Sequence, residues 1–451
     1  MAKPSYQGTL QQLLAKGPAK AATILAELDI SQPTFSRLWP TVKDGVALGT
    51  ARARQYGLRR QIPGVDVPVP IFRVSEAGQV EPFGQLEILQ GGFYGLRLID
   101  ETSTQLFQGI PYFLQDLRPQ GFLGRMEPGK NRDLELPPDI LMWTDEHVLK
   151  YASRRSEHAV GNLILGNESY ARYLADLVTI QNSLIPETER TDRYPGLAEQ
   201  AMQGDSPGSS AGGEQPKFTA VIQRSDERKK IDYVIVKFSP NIDTQNGRRW
   251  GDLLICEHLA LEVLARNNIA AAKTSILQAA GRVFLEVVRF DRVGLRGRRP
   301  MATVAALDGD LGMRDQSWTV VASELGRLGH LSKKDVETVG ILDLFGTLIG
   351  NTDRHHGNMA LAWAITGRFQ LLDAYDMLPM LYRPNTHGEI VDREWVPSLG
   401  GKLELRHLKR CCEMANQFWT DVIDDPRISD EFKRNVATRH RNTLRKLNSD
   451  A

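Results

Sequence analysis

Near the N-terminus, apolar positions recur at helical spacing in three short stretches. They then give way to short alternating runs, so the chain reads as a small helical module followed by β-structure. Residues 10–14 give one helical pattern, and residues 21–28 a second with Ile24, Leu25 and Leu28 on one face. A third starts after Ser31, which caps it; Pro33 fits its first turn, and Pro40 ends or bends it. Only Asp29-Ile30-Ser31 separates the second stretch from the third, as tight a connection as in helix-turn-helix units. Residues 45–48 and 55–58 then read as two short strands around Thr50-Ala51-Arg52-Ala53-Arg54, a basic wing.

From Ile62 the apolar runs shorten and are punctuated by Gly and Pro, as at 69–74, 93–98 and 105–109, which predicts a β-rich subdomain. Residues 110–114 and 121–125 lead into helices, of which 168–180 is the most regular. The polar, Pro-containing stretch 130–139 is expected to be an exposed loop. Strands are predicted at 218–222 and 233–238 as a hairpin over the charged turn 224–230, then at 273–277 and 283–288, with a helix over 253–267 between the two pairs. Further on, 359–363 and 368–372 form a hairpin around 365–367, and 403–418 and 429–447 are helical.

Composition adds little for the chain as a whole and more for its start. With 451 residues of which 41% are hydrophobic, two or three domains with sizeable cores are expected. Lys and Arg number 56 against 55 Asp and Glu, so any nucleic-acid surface is local. Residues 1–62 hold nine Lys or Arg and three Asp or Glu, and positive charge concentrated on such a module favours phosphate contacts. Gln32, Thr34, Ser36 and Arg37 on the third helix, with Arg52 and Arg54 in the wing, are the candidate DNA-binding residues. A packing or dimerisation module with a solvated basic face has the same pattern. Cys256, Cys411 and Cys412 give neither a zinc pattern nor a disulfide framework, and a reducing cytoplasm is expected. Residues 1–17 lack a signal-peptide pattern and no apolar run is long enough to span a bilayer, so neither export nor a membrane partner is expected.

The densest chemistry lies in Ile349-Gly350-Asn351-Thr352-Asp353-Arg354-His355-His356-Gly357-Asn358 and the run to Asp376. In protein kinases a catalytic Asp takes the proton of a hydroxyl substrate, an Asn five positions later reaches Mg²⁺, and a second carboxylate follows a short hairpin. Asp353, Asn358 and Asp376 have that arrangement, although Asp and Asn also commonly cap turns. His355 and His356 raise the possibility of a transition metal, but adjacent side chains diverge on regular elements, and a loop-orienting role suits His355 better. Upstream, 202–217 gathers Gly204, Gly208, Gly212 and Gly213 before a strand. Such a stretch serves as a phosphate cover or as a flexible linker; it is neither a Walker loop nor GxGxxG. Lys237, near the end of its strand, has Glu257 available for the ion pair kinases use to orient a phosphate-binding Lys. Backbone groups around Val288 and Phe290 would suit a hinge strand for adenine, but the sequence itself argues only for a strand edge.

Taken in order, Ser209-Ser210-Ala211-Gly212-Gly213-Glu214-Gln215-Pro216-Lys217, Val236-Lys237-Phe238, Val288-Arg289-Phe290-Asp291-Arg292, Asn351 to Asn358, and Ala374-Tyr375-Asp376-Met377-Leu378 closely resemble the HipA family of bacterial toxin serine/threonine kinases. The resemblance covers residues 62–446. It implies an α+β, protein kinase-like, two-lobed fold using ATP and Mg²⁺. Asp353 would be the base, Asn358 and Asp376 the metal ligands, and Lys237 the phosphate-binding Lys; Val288 and Phe290 would contact adenine. Ser210, Ala211, Gly212, Gly213 and His355 are placed around the nucleotide. It also implies inhibitory autophosphorylation at Ser210, with Ser209 second, and an aminoacyl-tRNA synthetase, particularly the glutamyl enzyme, as protein substrate.

Two departures stand out. Pro216 occupies a position that is acidic in relatives, and Val288 stands where some have Glu. A third is architectural, since relatives commonly pair with a separate helix-turn-helix antitoxin and here a basic winged module is fused. The expected organisation is a winged helix-turn-helix over 1–62, a β-rich subdomain with the kinase N-lobe over 63–300, and a helical C-lobe over 301–451. Rival functions are a nucleotide-sensing transcriptional regulator without kinase activity, and a metal-dependent hydrolase or nuclease.

Overall fold

Lys237 lies on the central strand of a five-stranded sheet in the computed structural model, which describes residues 6–50, 54–99, 101, 103–203, 215–226, 230–364, 367–396 and 407–449. The strands run in the order Thr274–Ala279, Arg282–Val288, Ile231–Phe238, Lys217–Gln223, Leu184–Pro186; all neighbours are antiparallel except the last pair. Alternation builds both faces. Val234, Val236 and Phe238 pack with Phe218, Ile222, Tyr194 and Phe284, whereas Val283, Leu285 and Val287 turn to the other side and join the core around Leu253, Ile255 and Leu264.

The helix behind that second face is Gln245–Arg266, which starts well before residue 253, the start expected from the sequence. Its opening turns are polar, so the apolar run hides them. They are fixed instead by Thr244, whose hydroxyl accepts from the Gly247 N–H at 3.0 Å, and by buried Arg249, which donates to the Tyr382 carbonyl at 3.1 Å.

A second five-stranded sheet, antiparallel throughout, has the order Gln105–Gln108, Phe93–Leu98, Val80–Ile88, Val69–Val74, Leu163–Leu165. Helix Asp145–Arg155 closes one face through Val148 and Leu149 against Leu86, Ile88 and Leu96. The loop expected to be exposed at 130–139 is in part pinned to this core: Leu134 is fully buried, and the Trp143 indole N–H donates to the Pro137 carbonyl at 2.8 Å. One buried leucine in a polar stretch carries no periodicity, so the sequence does not reveal it.

At the N-terminus, helices Tyr6–Ala15, Ala21–Leu28 and Gln32–Leu38 pack on a three-stranded sheet with Gln55–Leu58 between Ala19–Lys20 and Gly45–Leu48. Leu10, Leu14, Ile24, Leu28, Phe35 and Tyr56 form their core, with the rings of Phe35 and Tyr56 edge-on at 4.8 Å. This unit is docked on the second sheet. Arg59 meets Glu87 through two bonds of 2.8 Å, the Arg60 N–H donates to the Ile88 carbonyl at 2.8 Å, and the Gly49 N–H donates to the Thr104 hydroxyl at 3.2 Å. Gly91, with φ 74°, sits where an added Cβ would stand 2.3 Å from the Lys16 carbonyl, so only glycine allows this approach.

The C-terminal part is helical. Trp318–Arg327, Lys333–Ile349, Leu408–Asp424 and Thr438–Ser449 enclose Val339, Phe345, Phe418, Trp419 and Leu444. The last helix, expected as one piece over 429–447, comprises Asp430–Phe432, a π-turn Lys433–Ala437, and Thr438–Ser449. Leu408–Asp424 lies later than the expected 403–418, whose first residues fall outside the described ones. Among the described residues, no helix is long and apolar enough to cross a membrane.

Candidate active site

Strand alternation turns Lys237 away from the Val236 side and toward helix Gln245–Arg266, where the ammonium meets a carboxylate. Its Nζ lies 2.7 and 2.8 Å from the two oxygens of fully buried Glu257, the partner expected from the sequence. The same Nζ also contacts the Asp376 carboxylate. Burial disfavours the ammonium, but Asp376 and Glu257 outweigh it and hold the lysine above its ordinary range.

Two carboxylates thus share one cation, and their fates differ. Burial acts against both charges. For Glu257 it prevails over the pull of Lys237 and, with repulsion from Asp376, pushes the carboxyl up to about 7. For Asp376 the attraction of Lys237 and Lys217 overcomes burial and brings the carboxyl down to about 2. Lys217, opposite Lys237 in the strand register, is a contributor that sequence reading passed over. The signal available was a basic residue ending the glycine-rich stretch.

The Asp376 backbone is in the left-handed region at φ 53°, which costs a residue other than glycine on the order of 1 kcal/mol or more. Its surroundings impose that conformation. The Ala374 N–H donates to the Ala270 carbonyl and the Ala272 N–H to the Ala374 carbonyl, both at 2.9 Å. Strands Ala360–Trp363 and Phe369–Leu371 pair antiparallel just upstream and deliver the segment.

Helix Lys333–Ile349 ends on Gly350 at φ 80°, and the loop that follows carries Asp353 and Asn358. Asn351 is buried; its Oδ1 accepts from the Asp353 N–H at 3.0 Å and its Nδ2 donates to the Asp376 carbonyl at 3.3 Å. One side chain therefore joins the loop to the Asp376 segment. Asn358 donates to the Asp353 carbonyl at 2.9 Å, and Arg354 is tied to Asp343 at 2.9 Å. Tyr375 completes the tie by donating to the Gly357 carbonyl at 2.7 Å, with its ring 5.7 Å from that of Phe290.

The two histidines do not converge. Exposed His355 accepts from the Gly357 N–H at 3.0 Å and shapes the turn, and its carbonyl accepts from Trp318 at 3.1 Å. Buried His356 lies 2.6 Å from Asp308 Oδ1 and 2.9 Å from the Gln316 carbonyl. Both ring nitrogens of His356 are thus engaged, and among the described residues neither histidine belongs to a cluster that could hold a metal ion.

Other candidates are placed less centrally. The Val288 N–H, at the strand edge expected as a hinge, donates to the Lys273 carbonyl at 2.8 Å and is thus already used in strand pairing. Ser209, Ser210, Ala211, Gly212 and Gly213 lie outside the described residues, as does Arg52. Gln32, Ser36, Arg37 and Arg54 are exposed, whereas Thr34 is half-buried and bonds to the capping hydroxyl of Ser31 at 3.0 Å. Behind the sheet, sequence reading missed buried Glu286, which lies 3.1 Å from Arg190 and 2.7 Å from Arg224 and accepts from the Tyr194 hydroxyl. Its one signal was a carboxylate inside an otherwise apolar strand.

Over 431 residues the sequence is 35% identical to Toxin YjjJ of Escherichia coli (strain K12), with 94% of each chain covered. The chain belongs to the HipA-like toxin family. Residues 209–438 match the HipA-like C-terminal domain and residues 65–174 the YjjJ-like toxin middle domain. The HipA-like segment 209–438 holds Lys237, Glu257, Asp353, Asn358 and Asp376. The fold is that of a chain in the Shewanella oneidensis MR-1 toxin–antitoxin complex of HipA, HipB and operator DNA, with a TM-score of 0.51, 15% identity, and 84% of this chain and 97% of that one covered.

Proposed function

We propose that this HipA-like protein is a serine/threonine protein kinase using ATP and Mg²⁺, with an N-terminal winged helix-turn-helix that binds DNA. One observation carries the kinase reading: buried Lys237, held by Glu257 and in contact with Asp376, is linked through Asn351 to Asp353. A metal-dependent hydrolase has no need of a lysine oriented in this way.

The donor set fits the cation, since Asp376 is held ionised and Asn358 adds a carbonyl oxygen, both hard ligands. Asn358 and Asp376 would hold Mg²⁺, which supplies charge neutralisation at the β- and γ-phosphates. Lys237 orients the α- and β-phosphates, and Lys217 adds positive charge beside it. Asp353 takes the proton of a serine hydroxyl as its oxygen bonds to the γ-phosphorus and the bond to the ADP oxygen breaks. Phe290 and Val288 offer apolar contact to the adenine, and His355 shapes the loop beside the nucleotide.

The protein substrate is an aminoacyl-tRNA synthetase, supported by the family resemblance alone. On the same basis Ser210, or Ser209, accepts phosphate from the protein itself, and added charge there displaces the glycine-rich stretch from the nucleotide. For DNA, the support is the exposed face of Gln32, Ser36 and Arg37, the wing residue Arg54, and the surplus of positive charge. Membrane is not a partner in this reading, and the site of action is the cytoplasm.

The test is intact-mass and phosphopeptide analysis after incubation with ATP and Mg²⁺, for the parent protein, Asp353→Ala and Ser210→Ala. Phosphate on Ser210 or Ser209 that disappears in Asp353→Ala is the expected result. ATP binding without phosphate on this chain or on a synthetase added in trans, starting from unphosphorylated protein, would overturn the kinase reading in favour of a nucleotide sensor.

A further inference from the structure

The surplus of positive charge at the N-terminus has a counterpart at the other end of the chain. Residues 433–449 contain Lys433, Arg434, Arg439, Arg441, Arg445 and Lys446 and no Asp or Glu, in a chain whose formal net charge is +1. They form the π-turn Lys433–Ala437 and the helix Thr438–Ser449.

The two sides of this element differ in chemistry. Phe432, Val436, Ala437 and Leu444 are buried in the C-lobe core, and His440 is buried beside Trp419. Every exposed position from 434 to 446 is Arg, Lys or Asn: Arg434, Asn435, Arg439, Asn442, Arg445 and Lys446. Arg439 reaches the exposed Asp392 at 3.2 Å, whereas no carboxylate among the described residues pairs with Arg434 or Arg445.

We infer that this face is a second polyanion site, shaped for the phosphate backbone of a nucleic acid. Three features select that partner. Arginine and asparagine side chains are donors of the kind that position phosphates and sugars. The α-helical segment, at ~1.5 Å per residue, runs for about 18 Å, enough to meet several phosphates in succession. The apolar side is used up in the lobe core, so nothing is left to enter a bilayer, which sets this helix apart from a membrane-surface helix. The inference is independent of kinase activity.

The experiment uses the full chain carrying Arg434→Gln and Arg445→Gln. Arg37→Ala with Arg54→Ala, at the other end of the chain, serves as a separate arm. Binding is read by fluorescence anisotropy across a salt series, with a 30-base-pair DNA duplex and an RNA hairpin as probes and phosphatidylglycerol vesicles as the competing class. The C-terminal variant should bind at least one nucleic acid several-fold more weakly. Its log–log salt slope should be shallower by about two, close to one per charge removed. The probe that loses affinity identifies DNA or RNA as the source of the phosphates. Unchanged affinity and slope on both probes would overturn the inference, as would loss on vesicles alone. Unfolding by urea should be unchanged, because both arginines are solvent-facing, and Arg445→Glu gives an independent variant if it is not.

Discussion

Asn351 accepts a hydrogen bond from the backbone N–H of Asp353 at 3.0 Å while its own amide donates to the Asp376 carbonyl at 3.3 Å. The proposed base and a proposed metal ligand are therefore registered by one buried side chain. Asn351→Asp keeps the acceptor and loses the donor. A hydrogen bond of this kind contributes about 1 kcal/mol, so a loss of roughly fivefold in kcat is expected, with KM for ATP much less affected. Equal losses in kcat and in ATP affinity would show that Asn351 supports the whole lobe rather than the register of the two carboxylates.

Lys237 holds two carboxylates, and removing it strands them. Lys237→Met leaves fully buried Glu257 without its cation, a change that costs on the order of 3–5 kcal/mol. The cost has a definite pH sense. Glu257 is already raised to about 7 by burial and rises further without the lysine, so its contribution is retained at low pH and lost as pH climbs through that value. Urea unfolding of Lys237→Met should therefore be more impaired at pH 8 than at pH 6. Adding Glu257→Gln should restore much of the stability and none of the phosphorylation.

Those two residues also show how far the sequence could be read. The ion pair between Lys237 and Glu257 was legible because a strand, a following helix and a charge on each are local patterns. The spacing of Asp353 and Asn358, and the hairpin delivering Asp376, were legible for the same reason. What could not be read is contact between residues distant in the chain. Glu286 finds Arg190 and Arg224 only after the sheet has formed, and Asn351 looks like any polar loop residue until Asp376 arrives beside it. The Val288 amide is spent on Lys273 for a similar reason: strand pairing decides which edge groups remain open.

His440 gives a prediction in the acid range. It stacks on Trp395 at 4.1 Å, lies 2.8 Å from the Tyr382 hydroxyl, and donates to the Leu348 carbonyl at 2.8 Å, just before the loop that carries Asp353. Burial lowers its titration from the ordinary value to about 3. As pH falls through the ordinary histidine range, the unfolded chain takes up a proton that the folded one refuses, and stability is lost. Between pH 7 and pH 5 the loss is about 2 kcal/mol. Glu257 acts in the opposite sense over the same interval, so the parent protein alone conceals the effect. His440→Gln, which keeps a donor for Leu348, should be less sensitive to acid than the parent by about that amount in urea unfolding; identical pH profiles would remove His440 from the account.

The docking of the N-terminal unit bears on the proposed binding of DNA. Arg59 and Glu87 make a two-bond ion pair at 2.8 Å with Glu87 nearly buried, so the unit is fixed to the second sheet instead of moving on a tether. Arg37 on helix Gln32–Leu38 and Arg54, just before strand Gln55–Leu58, are both exposed. Arg37→Ala with Arg54→Ala should weaken binding of duplex DNA and lower the salt slope by about two, with unfolding unchanged. Glu87→Gln should do the reverse, loosening the junction and lowering stability by on the order of 1–3 kcal/mol while leaving the salt slope intact, because no phosphate contact is removed. If both variants lose DNA in equal measure with the same slope, the contacts lie elsewhere and the helix face of Gln32, Ser36 and Arg37 is a packing surface.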